Sequence, residues 1–152
     1  MHRLVYCFLF MFFCCIAEAT QTLEQQRLEN MKTYVALLGK GDYDGITKLF
    51  TEDGTVISSS GIAETSSKFY KKLFTDTINH PSAELPQLFS SRNNSEVLIA
   101  SFYFNWQNKK QQPVGAHFID LFYFAKDSAK FNKVMVFSNT FKSDVMKQLE
   151  SV

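Results

Sequence analysis

Apolar residues recur at three- and four-residue spacing over 22–41, TLEQQRLENMKTYVALLGKG, with Leu28, Met31, Tyr34, Val35 and Leu38 on one face. That spacing predicts an amphipathic helix. Gly39 and Gly41 supply its stop. The stretch 42–53 predicts a second, shorter helix, with Asp42 or Asp44 as N-cap and Ile46, Leu49 and Phe50 turned inward. A short strand follows in GTVISSS, 54–60. ETSSKFYKKLFTDTI, 64–78, predicts a third helix that buries Phe69, Tyr70, Leu73 and Phe74, and Pro81 closes the region.

Beyond Pro81 the period changes to two. Strands are predicted near 84–91, 95–106, 114–125 and 131–141, with RNN (92–94) and NKKQQ (108–112) as turns. Helices first and a long run of strands afterwards predict an α+β fold. Three N-terminal helices packed in the concave face of a curved, mostly antiparallel sheet would form a cone with an apolar interior. DVMKQLESV, at the end of the chain, predicts a short terminal helix.

Strand alternation makes one residue conspicuous. In GAHFIDLFYF, 115–124, Asp120 shares a face with Ala116, Phe118, Phe122 and Phe124, while His117, Ile119, Leu121 and Tyr123 point the other way. An ionised carboxylate among phenylalanines is costly unless compensated, so desolvation favours the neutral acid. A neutral acid beside a tyrosine hydroxyl makes a two-donor clamp for an oxygen that gains negative charge. The plainer reading is a structural aspartate bonded to a neighbouring strand. For Tyr34 a core tyrosine on a helix face is the commoner situation, and for Tyr70, beside Phe69 on its helix, packing reads at least as well. Tyr103 and Trp106 fall on opposite faces of their strand, and one of them is expected to line the interior.

Composition narrows the class. The first 19 residues carry a basic start (His2, Arg3), an apolar run from Leu4 to Ile16 and an A-x-A site at Ala17, Glu18 and Ala19. They read as a secretory signal peptide cleaved after Ala19, with a lipoprotein signal at Cys14 or Cys15 disfavoured by the bulky residues before them. The rest, 20–152, reads as a single domain in a secreted or periplasmic protein, with no stable membrane insertion after cleavage. Cys7, Cys14 and Cys15 all lie in the leader, so the domain has no disulfide and no thiol nucleophile. A formal charge of +1 argues against nucleic acid as a partner. The 16 phenylalanines suit either a core or a pocket for a flat apolar ligand. No metal-ligand spacing, phosphate-binding glycine loop or G-x-S-x-G elbow is present. Asn93-Asn94-Ser95 is a glycosylation sequon at a predicted turn.

Four words, YVALLGKGDYDGITKLFTEDGTV (34–56), KFYKKLF (68–74), SEVLIASFYF (95–104) and GAHFIDLFYF (115–124), occur in the order of a known family. The chain resembles the cystatin-like, cone-shaped nuclear-transport-factor-2-like (NTF2-like) superfamily, and within it the ketosteroid isomerases and SnoaL-like polyketide cyclases. The resemblance covers roughly residues 30–141. It implies that Tyr34 and Asp120 are the catalytic pair that donates hydrogen bonds to a carbonyl oxygen, with Asp120 held neutral as in the isomerases. It further implies that Tyr70 supports Tyr34, and that Tyr70, Ser58, Phe118 and Phe122 contact the ligand. It implies no cofactor, no metal and a small hydrophobic ligand.

One position departs from the pattern. The isomerases' general base is an aspartate where this chain has Ser58, in a shorter loop, and Glu64 is the next carboxylate. A serine hydroxyl does not shuttle protons between carbons at neutral pH unaided. The implied activity is therefore isomerase- or cyclase-like chemistry on a steroid- or polyketide-like carbonyl compound. The alternatives are a non-catalytic hydrophobic-ligand binder and a dimerisation module. His117, on the face opposite Asp120, is expected at a sheet-to-sheet homodimer interface.

Overall fold

Residues 21–77, 82–84, 86–90 and 96–139 are described in the computed structural model. The expected leader, the 92–94 turn, Pro81 and the terminal helix lie outside them.

Helix α1, Leu23–Leu38, starts at a capping box: Gln25 N–H donates to the Thr22 hydroxyl, and Thr22 N–H donates to the Gln25 side chain. It ends at Gly39, and Gly41, two residues on, takes φ 66°, a left-handed conformation that suits glycine. Met31, Tyr34, Val35 and Leu38 are buried, as the spacing predicts. So is Arg27, only 3 % exposed. Its Nε donates to the Ser128 carbonyl at 2.8 Å, a terminal nitrogen donates to the Ala125 carbonyl at 3.2 Å, and the guanidinium lies over the Phe124 ring. Asn30 adds a bond to the Ala129 carbonyl.

Helix α2, Tyr43–Lys48, is capped by Asp42. It is shorter than predicted, because strand β1 already begins at Phe50 and runs to Ile57. Phe50 is buried in the strand rather than on a helix. A three-residue strand, β2 (Ala63–Thr65), pairs antiparallel with β1 just before helix α3, Ser66–Asp76.

The predicted strand near 84–91 is two short ones, β3 (Ser82–Ala83) and β4 (Gln87–Ser90), both paired with β5 (Val97–Gln107). Pro86 stands between them, and a proline has no N–H to give to a ladder. Strands β6 (Pro113–Phe124) and β7 (Phe131–Asn139) complete the seven-stranded sheet, ordered β2-β1-β7-β6-β5-β3 with β4 also on β5. All described pairings are antiparallel except β1 with β7.

The inner face packs on the helices. Ala116, Asp120, Phe122 and Phe124 of β6 are buried, with Phe102, Phe104, Val134 and Val136 on its neighbours. The outer face carries an apolar row in register across four strands: Phe89, Ile99, Leu121 and Met135. Beside that row Ile119 and Phe137 pair directly and stay about half exposed, at 49 % and 47 %. His117 also lies on this face, edge-on to the Tyr103 ring at 5.3 Å.

Candidate functional site

Tyr34 stands on the fourth turn of α1, and its ring is held edge-to-face by Phe122, Tyr70, Phe131 and Phe102 at centroid distances of 5.0 to 6.5 Å. Fixing the ring fixes the hydroxyl. That hydroxyl lies 2.8 Å from the Tyr70 hydroxyl, delivered by α3, and donates to Asp120 Oδ2 at 3.1 Å. All three side chains are buried. With the Tyr34 proton directed at Asp120, Tyr70 donates to Tyr34, and the order is Tyr70 to Tyr34 to Asp120.

Asp120 Oδ1 is buried without a hydrogen-bond partner. Because Oδ2 accepts from Tyr34, a proton carried by the acid belongs on Oδ1. Burial pushes the Asp120 carboxyl up to about 8, with the Tyr34 hydrogen bond pulling the other way. Burial likewise raises both tyrosines well above their ordinary value, so neither is a phenolate at neutral pH.

The trio forms part of the wall of a cavity of about 260 Å³. Its apolar wall includes Phe69, Phe102, Phe104, Trp106 and Phe118. Phe102 and Phe118, paired across β5 and β6, lie nearly parallel, and Phe104 stacks on Trp106. Its remaining polar wall is three serines, Ser58, Ser59 and Ser138. Of the two aromatics on opposite strand faces, Trp106 lines the cavity and Tyr103 is outside with His117.

The structure therefore brings Tyr34, Tyr70, Asp120, Ser58 and Phe118 to one cavity. It does not bring Phe122 there: that ring is fully buried behind Tyr34, filling the core rather than the wall. Strand alternation gives the face but not the depth along it. Ser58 sits in a turn, with its Oγ 2.8 Å from the Ser60 hydroxyl and donating to the Ile62 carbonyl. Glu64 is on β2, tied to Lys72 at 3.1 Å and Lys68 at 3.2 Å. The Lys72 hydrogen bond, then that of Lys68, holds its carboxyl below the usual range. It is not on the cavity wall, and Asp120 is the one carboxyl there among the described residues.

The sequence reading passed over Ser138 and Ser59. Alternation from Val134 and Val136 already places Ser138 inward, and it faces Phe118 across the ladder. Among the described residues no group of three His, Cys, Asp or Glu side chains is placed to hold a metal ion.

Neither a protein-family model nor a curated protein matches the sequence. Solved structures do match the fold. A polyketide cyclase proposed for Xanthomonas campestris pv. campestris is 11% identical, covers 84% of this chain and 99% of its own, and superposes with a TM-score of 0.66. BvnE pinacolase of Penicillium brevicompactum is 10% identical, with coverage of 86% and 95% and a TM-score of 0.65. A Catenulispora acidiphila protein with a ketosteroid-isomerase-like fold, solved with trimethylamine, is 12% identical, with coverage of 74% and 86% and a TM-score of 0.61. The fold is thus the NTF2-like cone. Within that class the likeness runs to ketosteroid-isomerase-like and SnoaL-like cyclase structures.

Proposed function

We propose that this cavity binds a small hydrophobic carbonyl or phenolic compound and directs its oxygen to Asp120 and Tyr34, in chemistry of the isomerase or cyclase type. The observation that carries this reading is Asp120 Oδ1, a buried acid oxygen without a partner on the wall of an apolar cavity. Buried polar atoms are normally satisfied, and a ligand oxygen would satisfy this one.

Two protonation states give two acts. Neutral Asp120 donates from Oδ1 to the ligand oxygen and polarises a carbonyl, while Tyr34, donating to Oδ2, positions the acid. Ionised Asp120 can take a proton from the carbon beside that carbonyl; the electron pair moves to the oxygen, to which Tyr34 turns its proton once Asp120 is neutral, and the proton returns to carbon from Asp120. An acid near pH 8 populates both states around neutrality. No carboxylate at position 58 is needed. The names of the cyclase and isomerase-like neighbours agree with this chemistry.

A second reading is binding without turnover. It is favoured by Ser58 standing where the isomerases keep their base and by Glu64 being held away by two lysines. Exchange of the α-protons of 2-tetralone for deuterium, followed by NMR, separates the two. Exchange above the buffer rate that disappears in Asp120→Asn supports the enzyme. Binding without exchange supports the binder, and neither binding nor exchange removes both. We further infer secretion from the leader, and a homodimer through the outer sheet face.

A further inference from the structure

We infer that the ligand is a flat compound of two fused rings carrying two polar groups, one against Asp120 and Tyr34 and the other against Ser138. The inference rests on the reading of the cavity as a ligand site and narrows its ligand class.

Size sets the first limit. A closed apolar cavity of about 150 Å³ holds a benzene ring. The cavity here is about 260 Å³, room for a bicyclic compound. A third and fourth ring would have to stand outside in water, without the burial that drives apolar binding. Shape sets the second limit. The cavity wall is largely aromatic, with Phe102 and Phe118 stacked within 16° of parallel and Phe104 stacked on Trp106. Flat ligands meet such rings with the most contact.

The second polar group follows from the strand register. Asp120 pairs with Val136 across β6 and β7, and Phe118 pairs with Ser138. Asp120 and Ser138 are therefore diagonal neighbours on the same inner face. Such positions lie about 7–8 Å apart, a separation that the long axis of one fused bicycle spans. The Ser138 hydroxyl has one contact, a long 3.4 Å bond to the Ser59 hydroxyl, which leaves acceptor capacity and an easily exchanged donor. Ser59 and Ser58 extend the same polar wall. An entirely apolar ligand would offer the Ser138 hydroxyl nothing beyond its long bond to Ser59, whereas a polar group would add a second hydrogen bond.

The test uses Trp106, which is the chain's single tryptophan and lines the cavity. Quenching of its fluorescence is titrated with naphthalene, 2-naphthol, the naphthalenediols and a tetracyclic phenol. The expected result has 2-naphthol tighter than naphthalene, and at least one diol tighter than 2-naphthol by roughly three- to tenfold. In Ser138→Ala the ratio between that diol and 2-naphthol falls to about one, while circular dichroism confirms a cooperative fold. The tetracyclic phenol binds more weakly than 2-naphthol. If no diol gains, or the gain persists in Ser138→Ala, the second anchor is wrong. If the tetracyclic compound binds as well as 2-naphthol, the size limit is wrong. Either failure, with 2-naphthol binding still dependent on Asp120, leaves the proposed function standing. If none of the compounds binds, both readings fall together.

Discussion

Arg27 and Ser128 are 101 residues apart in the chain and 2.8 Å apart in space, and their bond fixes helix α1 against the β6–β7 turn. Tyr34 lies two turns further along the same helix, and Asp120 four residues before Phe124, the ring under the guanidinium. The staple thus sets the axial position of the helix that carries the hydroxyl relative to the strand that carries the acid. Arg27→Met removes two charge-assisted bonds and takes the guanidinium from the Ser128 carbonyl, while the Ala125 carbonyl keeps the Ser128 N–H, for an expected loss of about 2–4 kcal/mol in urea unfolding. The same variant should weaken 2-naphthol binding, measured under conditions where it is fully folded. Unchanged affinity would mean that the helix keeps its register without the staple.

The acid gives a pH signature. In the unfolded chain its carboxyl loses its proton near the ordinary value of 3.8, whereas in the folded chain it keeps the proton to about 8. Between those values folding takes up a proton, so this group's contribution to stability is full below about pH 4 and is lost as pH rises to about 8. The steepest slope is about 1.4 kcal/mol per pH unit. Asp120→Asn lacks the term. Its stability relative to the wild type should therefore climb across that window, read from urea midpoints at several pH values. Parallel curves would show the carboxyl to be ionised, or hydrated, in the folded protein.

Tyr34→Phe removes the donor that holds the Asp120 carboxyl down, so that carboxyl should titrate still higher, as followed by carbon NMR of the side chain. The substitution also strands the Tyr70 hydroxyl. The expected cost is about 1–3 kcal/mol. A downward move of the Asp120 titration would contradict the hydrogen-bond order given above.

Phe122 separates core from cavity. Phe122→Ala should cost about 3–5 kcal/mol, because the ring is fully buried against Tyr34 and Phe131. If the ring lined the pocket instead, its loss would enlarge the ligand range at little cost in stability.

The outer face supplies an oligomer test. Ile119→Lys places a charge in the centre of the half-exposed apolar patch beside Phe137. Light scattering is expected to report a dimer for the parent and a monomer for this variant. A dimer that survives would place the contact elsewhere.

Much of this architecture can be read from letters because two periodicities dominate it. The spacing around Tyr34 gives the buried face of α1, and the alternation through GAHFIDLFYF turns Asp120 inward. Short or unpatterned pieces do not announce themselves. Strand β2 has three residues, largely exposed, and the helix-to-strand change at Phe50 falls inside one continuous run of inward apolar residues. Arg27 illustrates a different gap. Its place four residues before Met31 and seven before Tyr34 puts it on the buried face, yet a charged residue there reads as solvated until the carbonyls that receive it are seen. The depth of Phe122 depends on where Tyr34 leans, and no local pattern encodes that.

The parallel ladder between β1 and β7 joins Phe50 to Phe131, with α3 and strands β2 to β6 between them in the chain. Pairings this distant in sequence tax the loop entropy before they repay it and slow the search for the native state. A ribosome must therefore release the chain through β7 before the hollow can close. Until then the phenylalanine-rich ribbons wait unpaired, a period in which a chaperone would have most to protect.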